Sequence, residues 1–440
     1  MKKRVLCTLL ALAMVFSLVP AFEITVSAAE SIPYQKPVYN TQNEPESGLL
    51  KFEEDTVTDY TVVTEDTTQF EDGKWYVVTA DVTIGTAEEQ KQIEVSGDAY
   101  LILKDGATLT VECPGGGHAA IGVAKNNSLT VYGQSGGTGT LTAVAGSQGA
   151  AIGGDRENGG QAGKITVNGG TVNATCSENG GAGYETLEID QWVAHSGHGG
   201  EVIINGGTVA AFGEDGNPGI GVGKCNRGSD PGSVTVNGGL VYAVGSNEAA
   251  GIGGGDDSIL PEITVTGGTV FALGGSNGNA AGAGIGSGTD RDGGSVTVSG
   301  GTVTAIGGTT GTGSYGSGIG GGTGSASQGS LTVTPASGFS VRAGTNTGCG
   351  AVKCANASDA LGQKCVRIYT AQASSVPYLY WDAAQNKTVQ GYTDDYEILT
   401  EDTETISYGF YLVNQNLTYG AGKNLKIDGD THLILCDGKT

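Results

Sequence analysis

The chain has 440 residues, with 22 Lys and Arg against 46 Asp and Glu, and carries a formal net charge of −24 at pH 7. That balance excludes nucleic acid as a natural partner, because phosphate binding needs clustered Lys and Arg. It favours solubility and cation binding, and it repels an acidic polysaccharide unless a metal bridges the two.

Residues 1–29 read as an export signal. Lys2, Lys3 and Arg4 precede the apolar run from Val5 to Val19, and Val26-Ser27-Ala28-Ala29 offers small residues for cleavage. The run is short for a bilayer span, which needs about 20 residues, and no later segment is apolar enough. The expectation is a secreted, extracellular chain with no membrane span in this fragment, attachment to a cell wall being one form of it. Cys349, Cys354 and Cys365 are close enough in sequence for one disulfide, but no Cys/His zinc spacing is present.

Residues 30–94 read as an N-terminal linker and cap. From 95 to 335 a phrase recurs: ITVNGGTVNA from Ile165, VIINGGTVAA from Val202, VTVNGGLVYA from Val234, ITVTGGTVFA from Ile263 and VTVSGGTVTA from Val296. The steps between first glycines are 37, 32, 29 and 33 residues. A second phrase, Ile-Gly, keeps step at Ile121, Ile152, Ile220, Ile252, Ile285 and Ile319, with one copy missing near Tyr184. Alternate residues are apolar, as in half-buried strands. Gly-Gly marks a corner where one residue takes positive φ, and Asn168, Asn205 and Asn237 precede three corners, placed to stack as a ladder. A period in this range, carrying strand signals only, predicts an all-β right-handed parallel β-helix, a solenoid of about 32 residues per coil with three short strands each.

Residues 336–394 break the rhythm and read as a C-terminal cap and connector. Residues 395–440 then read as the truncated start of a second repeat, since HLILCDGKT from His432 echoes YLILKDGAT from Tyr100.

LILKDGATLTV from Leu101, SLTVYGQSGGTGTLTA from Ser128, AAIGG from Ala150 and the NGGTVxA phrases together resemble glycine-rich secreted β-helix surface proteins of clostridia-like bacteria. Such proteins are similar to the clostridial carbohydrate-binding β-helix family. The resemblance implies a surface-attached β-helix and, through that family, binding of plant polysaccharides and calcium. No functional residue carries over by motif.

Two sets of candidate site residues stand out. In the second strand of each coil the outward residue between inward Val and Ala is Asn173, Ala210, Tyr242, Phe271 and Thr304. Tyr242 and Phe271 fall on successive coils, and an aromatic face packs against a pyranose. Trp192 and Tyr184 lie in an irregular coil, where added function is favoured. These four are the carbohydrate-binding candidates; the alternative is ordinary stacking over the wall. Acids follow the Ile-Gly phrase: Asp155, Glu157, Asp230, Asp256, Asp257, Asp290 and Asp292. Asp256, Asp257, Asp290 and Asp230 are the metal candidates, with calcium as the ion because it takes several oxygen ligands. The alternative is a solvated loop edge.

Catalysis finds less support. Gly197-His198-Gly199 and Asp256-Asp257 resemble two signatures of polygalacturonase-type hydrolases, but here the His motif precedes the Asp pair, the reverse of that family's order. No Arg-x-Lys motif follows to hold a uronate. The expected function is therefore a non-catalytic carbohydrate-binding or adhesin module whose partner is a polysaccharide or host glycan. The alternatives are a structural stalk in a tandem surface protein, or a polysaccharide lyase or glycoside hydrolase.

Overall fold

The computed structural model describes residues 30–38, 50–86, 88–114, 118–146, 150–154, 162–177, 187–188, 200–223, 231–258, 260–334, 338–345, 352–370, 376–382, 387–393, 396–401, 403, 405–419, 424–436 and 438–440. They form a parallel β-solenoid, as the two in-phase phrases predict.

Three ladders run along the stack. The first joins Asp98–Leu103, Ser128–Gly133, Lys164–Val167, Glu201–Ile204 and Ser233–Val236, then the leading halves of Glu262–Leu273 and Ser295–Ile306, and ends on Ser330–Val333. The second joins Thr108–Cys113, Thr140–Gly146, Thr171–Ser177, Thr208–Phe212 and Leu240–Val244 to the trailing halves of the same two long strands. The third is made of the Ile-Gly steps, in which Ile220, Ile252, Ile285 and Ile319 lie in register. Leu187 pairs with Ile220, so it supplies the rung that lacks the phrase.

Register explains the core. Leu129, Ile165, Val202, Val234, Ile263 and Val296 are successive partners, and all are buried. Each such side chain contributes about 1.5–3 kcal/mol by leaving water. A slip of one residue would turn the whole column outward, so the alternation pins each strand.

The glycines set the coil spacing. At the Gly-Gly corner the second residue carries the positive φ: Gly207 sits at φ +79, and a Cβ there would lie 2.4 Å from the Gly170 carbonyl oxygen. In the Ile-Gly step Gly253 sits at φ +135, with the Gly286 oxygen only 2.0 Å from where a Cβ would be. Adjacent coils approach that closely only because no side chain intervenes.

The asparagines before the corners stack as expected. Asn205 donates through Nδ2 to Asn168 Oδ1 at 2.8 Å, and Asn237 donates to Asn205 Oδ1 at 2.9 Å. Thr266 continues the row, its hydroxyl donating to Asn237 Oδ1 at 2.5 Å.

Coils begin earlier than residue 95. Trp75–Val78 pairs in parallel with Asp98–Leu103, and Val82–Ile84 pairs with Thr108–Cys113. This turn rounds its corner on Thr79-Ala80-Asp81 instead of Gly-Gly and so lacks the recurring phrase. Ahead of it, Ile32–Val38 and Lys51–Val57 form an antiparallel pair. Ile32 and Tyr34 cluster with Val77 and Ile102, and with the partly buried Trp75 and Tyr132. The outward corner column is apolar here and turns polar at Asn168, and the hairpin covers the apolar part.

At the other end Cys365–Thr370 lies antiparallel on the trailing half of Ser295–Ile306, and Phe339–Gly344 lies antiparallel on it in turn. Val366 and Ile368 close the core, and the parallel edge is blocked against further pairing. Cys365 is disulfide-bonded, whereas Cys354 is a free thiol.

The echo of the amino-terminal segment starts inside the span read as connector. Val376–Asp382 and Lys387–Thr393 form an antiparallel pair, followed by the parallel strands Tyr396–Ile398, Thr405–Val413 and Lys426–Leu435. Val376-Pro377-Tyr378 matches Ile32-Pro33-Tyr34. Tyr378 and Phe410 have ring centroids 4.9 Å apart, against 4.8 Å for Tyr34 and Trp75. Phe410 stacks on His432 at 4.6 Å, as Trp75 stacks on Tyr100 at 4.7 Å. Hairpin and first coils therefore recur as one unit. Among the described residues no helix is long and apolar enough to cross a membrane.

Candidate functional site

The second ladder presents a flat outer face. Val241, Ala243, Val270 and Ala272 point into the core, which forces Tyr242 and Phe271 outward. The two are register partners. They are 36% and 38% exposed, and their ring centroids lie 6.1 Å apart with planes inclined by 32°. Leu273, two residues on, is 41% exposed, and Val244 and Phe212 are half-buried beside it. The neighbouring outward column runs Thr208, Leu240, Thr269 and Thr302, so Leu240 interrupts the hydroxyls in the coil that carries Tyr242. The result is an apolar strip edged by hydroxyls on either side of Leu240. Such a surface matches a ligand with C–H faces and a polar rim, because aromatic faces attract the positive C–H edge. Trp192 and Tyr184, the other two carbohydrate candidates, lie outside the described residues.

Two of the acidic residues have a conformational reason for their positions. Asp257 and Asp290 occupy the same place in successive turns, at φ 54 and φ 57, where the next coil has Gly324 at φ 83. The left-handed region favours Gly, Asn and Asp, so the turn accounts for an Asp at these two positions. Asp257 also has a counter-ion. Arg291 of the next coil sets Nη2 2.6 Å and Nε 2.8 Å from Asp257 Oδ1, and Nη2 reaches the Asp257 carbonyl at 3.3 Å. Asp292 accepts from the Ser327 amide at 2.7 Å.

Ser258, Leu260, Asp290, Arg291, Asp292 and Gly324 line an open cleft of about 410 Å³ beside this pair. Among the described residues no group of three or more His, Cys, Asp or Glu is placed to hold a metal ion. Of the calcium candidates, Asp256, Asp257 and Asp290 come to neighbouring turns, with Asp257 bound to arginine; Asp230 lies outside the described residues. So do Asp155, Glu157 and His198, which leaves the Asp256-Asp257 pair without a described histidine opposite it.

A denser aromatic cluster escaped sequence reasoning. Tyr34 lies 4.8 Å from both Trp75 and Tyr132, and Trp75 stacks on Tyr100. Burial, with Tyr100 beside it, pushes the Tyr132 phenol up to about 12. Burial and the bond from its hydroxyl to Asp55 at 3.1 Å raise Tyr34 further. The signal was the Pro-Tyr dipeptide repeated at Pro33-Tyr34 and Pro377-Tyr378, too short to stand out in the sequence.

Comparison with known proteins agrees with the coil geometry. Three segments, residues 165–184, 202–221 and 234–256, match the family described as beta helix repeat. No curated protein and no solved structure matches the chain. What this chain is similar to is therefore a coil type, and the repeat family bears on the fold.

Proposed function

We propose that the solenoid is a non-catalytic binding module of a secreted surface protein, which holds a polysaccharide or host glycan along the outer face of the second ladder. The carrying observation is the exposed, in-register pair of Tyr242 and Phe271, 6.1 Å apart on adjacent coils. A parallel stack holds both rings in fixed orientation, so little side-chain entropy is lost on binding. The adjoining Leu273, with Leu240 and Thr269 of the neighbouring column, extends the same surface.

The test is a glycan array covering pectins, celluloses and host glycans, run with and without calcium. Binding that falls at least tenfold in both Tyr242→Ala and Phe271→Ala supports the module. Binding unaffected by either variant places the site elsewhere, and no binding to any glycan supports the spacer reading instead.

A further inference from the structure

Arg367 is a charged residue in an unusual position. It lies on Cys365–Thr370, the strand that closes the first stack, as the register partner of Thr304. Val366 and Ile368 on either side turn into the first core, so Arg367 faces away from it. It is nevertheless only 8% exposed. Its cover comes from the second unit: Nη2 is 2.7 Å from Glu397 Oε1, and Nη1 donates to the Tyr411 hydroxyl. The guanidinium carbon lies 5.4 Å from the Tyr411 ring centre and 5.6 Å from that of Tyr369. Glu397 and Tyr411 are themselves register partners and so present side chains on one face.

We propose that Arg367 is the coupling residue between consecutive units, docking the second hairpin-and-coil unit against the outward face of the first unit's cap so that the two move as one body. The partner is the next unit of the same chain, recognised by a carboxylate and a phenol that converge on one guanidinium. Burial alone would weaken the charge, but Glu397 and Tyr411 outweigh it and hold the group protonated. A planar fork that meets a carboxylate and stacks on rings is a task for arginine that lysine performs poorly. In the first unit the matching tyrosine, Tyr76, instead accepts from the Glu71 amide at 2.9 Å, so the contact is specific to the junction. Arg367 continues the outward column of Tyr242, Phe271 and Thr304 by one rung, but none of its partners is a residue of the glycan reading.

Hydrogen exchange on the full chain tests it. Removing one member of a buried pair strands the other, and exchange tracks the population of the opened state. Arg367→Met is expected to speed exchange in Thr405–Val413 at least tenfold while Glu262–Leu273 stays protected. Glu397→Ala, which touches no part of the first core, is expected to do the same. Unchanged exchange in Thr405–Val413 in the Glu397→Ala protein overturns the proposal. So does loosening confined to Phe339–Gly344 in the Arg367→Met protein, which would make Arg367 a support of the cap alone.

Discussion

Removing the amide of Asn205 should cost more than its modest size suggests. Asn205 is 3% exposed and both gives and takes a hydrogen bond in the ladder, at 2.8 Å to Asn168 and 2.9 Å from Asn237. Asn205→Ala deletes two bonds, each worth about 0.5–1.5 kcal/mol net, and leaves Asn168 Oδ1 buried without its inter-coil donor, which costs about 1–3 kcal/mol more. Water reaches Asn237, which is half-buried, and recovers part of this. The expected loss is about 2–4 kcal/mol in urea denaturation. Asn205→Asp sharpens the test. A carboxylate accepts from Asn237 but has no proton to give Asn168, and burial disfavours its charge, so its folded pKa rises above the unfolded value. The restored ladder is then fully present below the unfolded pKa and is lost as pH rises through the folded one. Relative to the parent protein, this variant should be more stable at pH 4 than at pH 7. A loss below about 0.5 kcal/mol in Asn205→Ala, or no pH dependence in Asn205→Asp, would show that the ladder is ornamental.

Gly253→Ala should cost at least about 3 kcal/mol, since it combines a strained φ with a clash against the Gly286 carbonyl; urea denaturation reads it, and a neutral result would mean the coils separate freely. The amino-terminal hairpin should come away first at alkaline pH. Tyr132 and Tyr34 have phenols raised in the folded state, so their contribution is intact below the ordinary value of about 10 and is lost as pH climbs toward 12. Proteolysis within residues 30–60 should therefore accelerate between those limits while the coils persist. Arg291→Gln removes the counter-ion of Asp257, so millimolar calcium should raise the melting temperature of this variant more than that of the parent. Equal shifts would mean that arginine and cation do not compete for the same carboxylate.

The sequence by itself determined the coil. Parallel in-register stacking sets the same position of every coil against its equivalent one step on, so a column read down the sequence is a column in space. That is why Ile165, Val202 and Val234 could be assigned to one buried row, Asn168, Asn205 and Asn237 to one ladder, and Tyr242 and Phe271 to one exposed face. The same logic fails where the period breaks. The first coil at Trp75–Val78 lacks the Gly-Gly corner, and the second hairpin at Val376–Asp382 shares only a Pro-Tyr dipeptide with the first, so neither was legible in the chain. Tertiary structure alone decided that Asp257 meets Arg291, that Tyr34 completes an aromatic cluster over Trp75 and Tyr132, and that Arg367 reaches Glu397 and Tyr411. Arg291 comes one coil after Asp257, but both lie in turns outside the recurring phrases, and the other two contacts join a hairpin or a cap to a coil. Their meeting is set by how those turns, hairpin and cap pack, which the phrases do not encode.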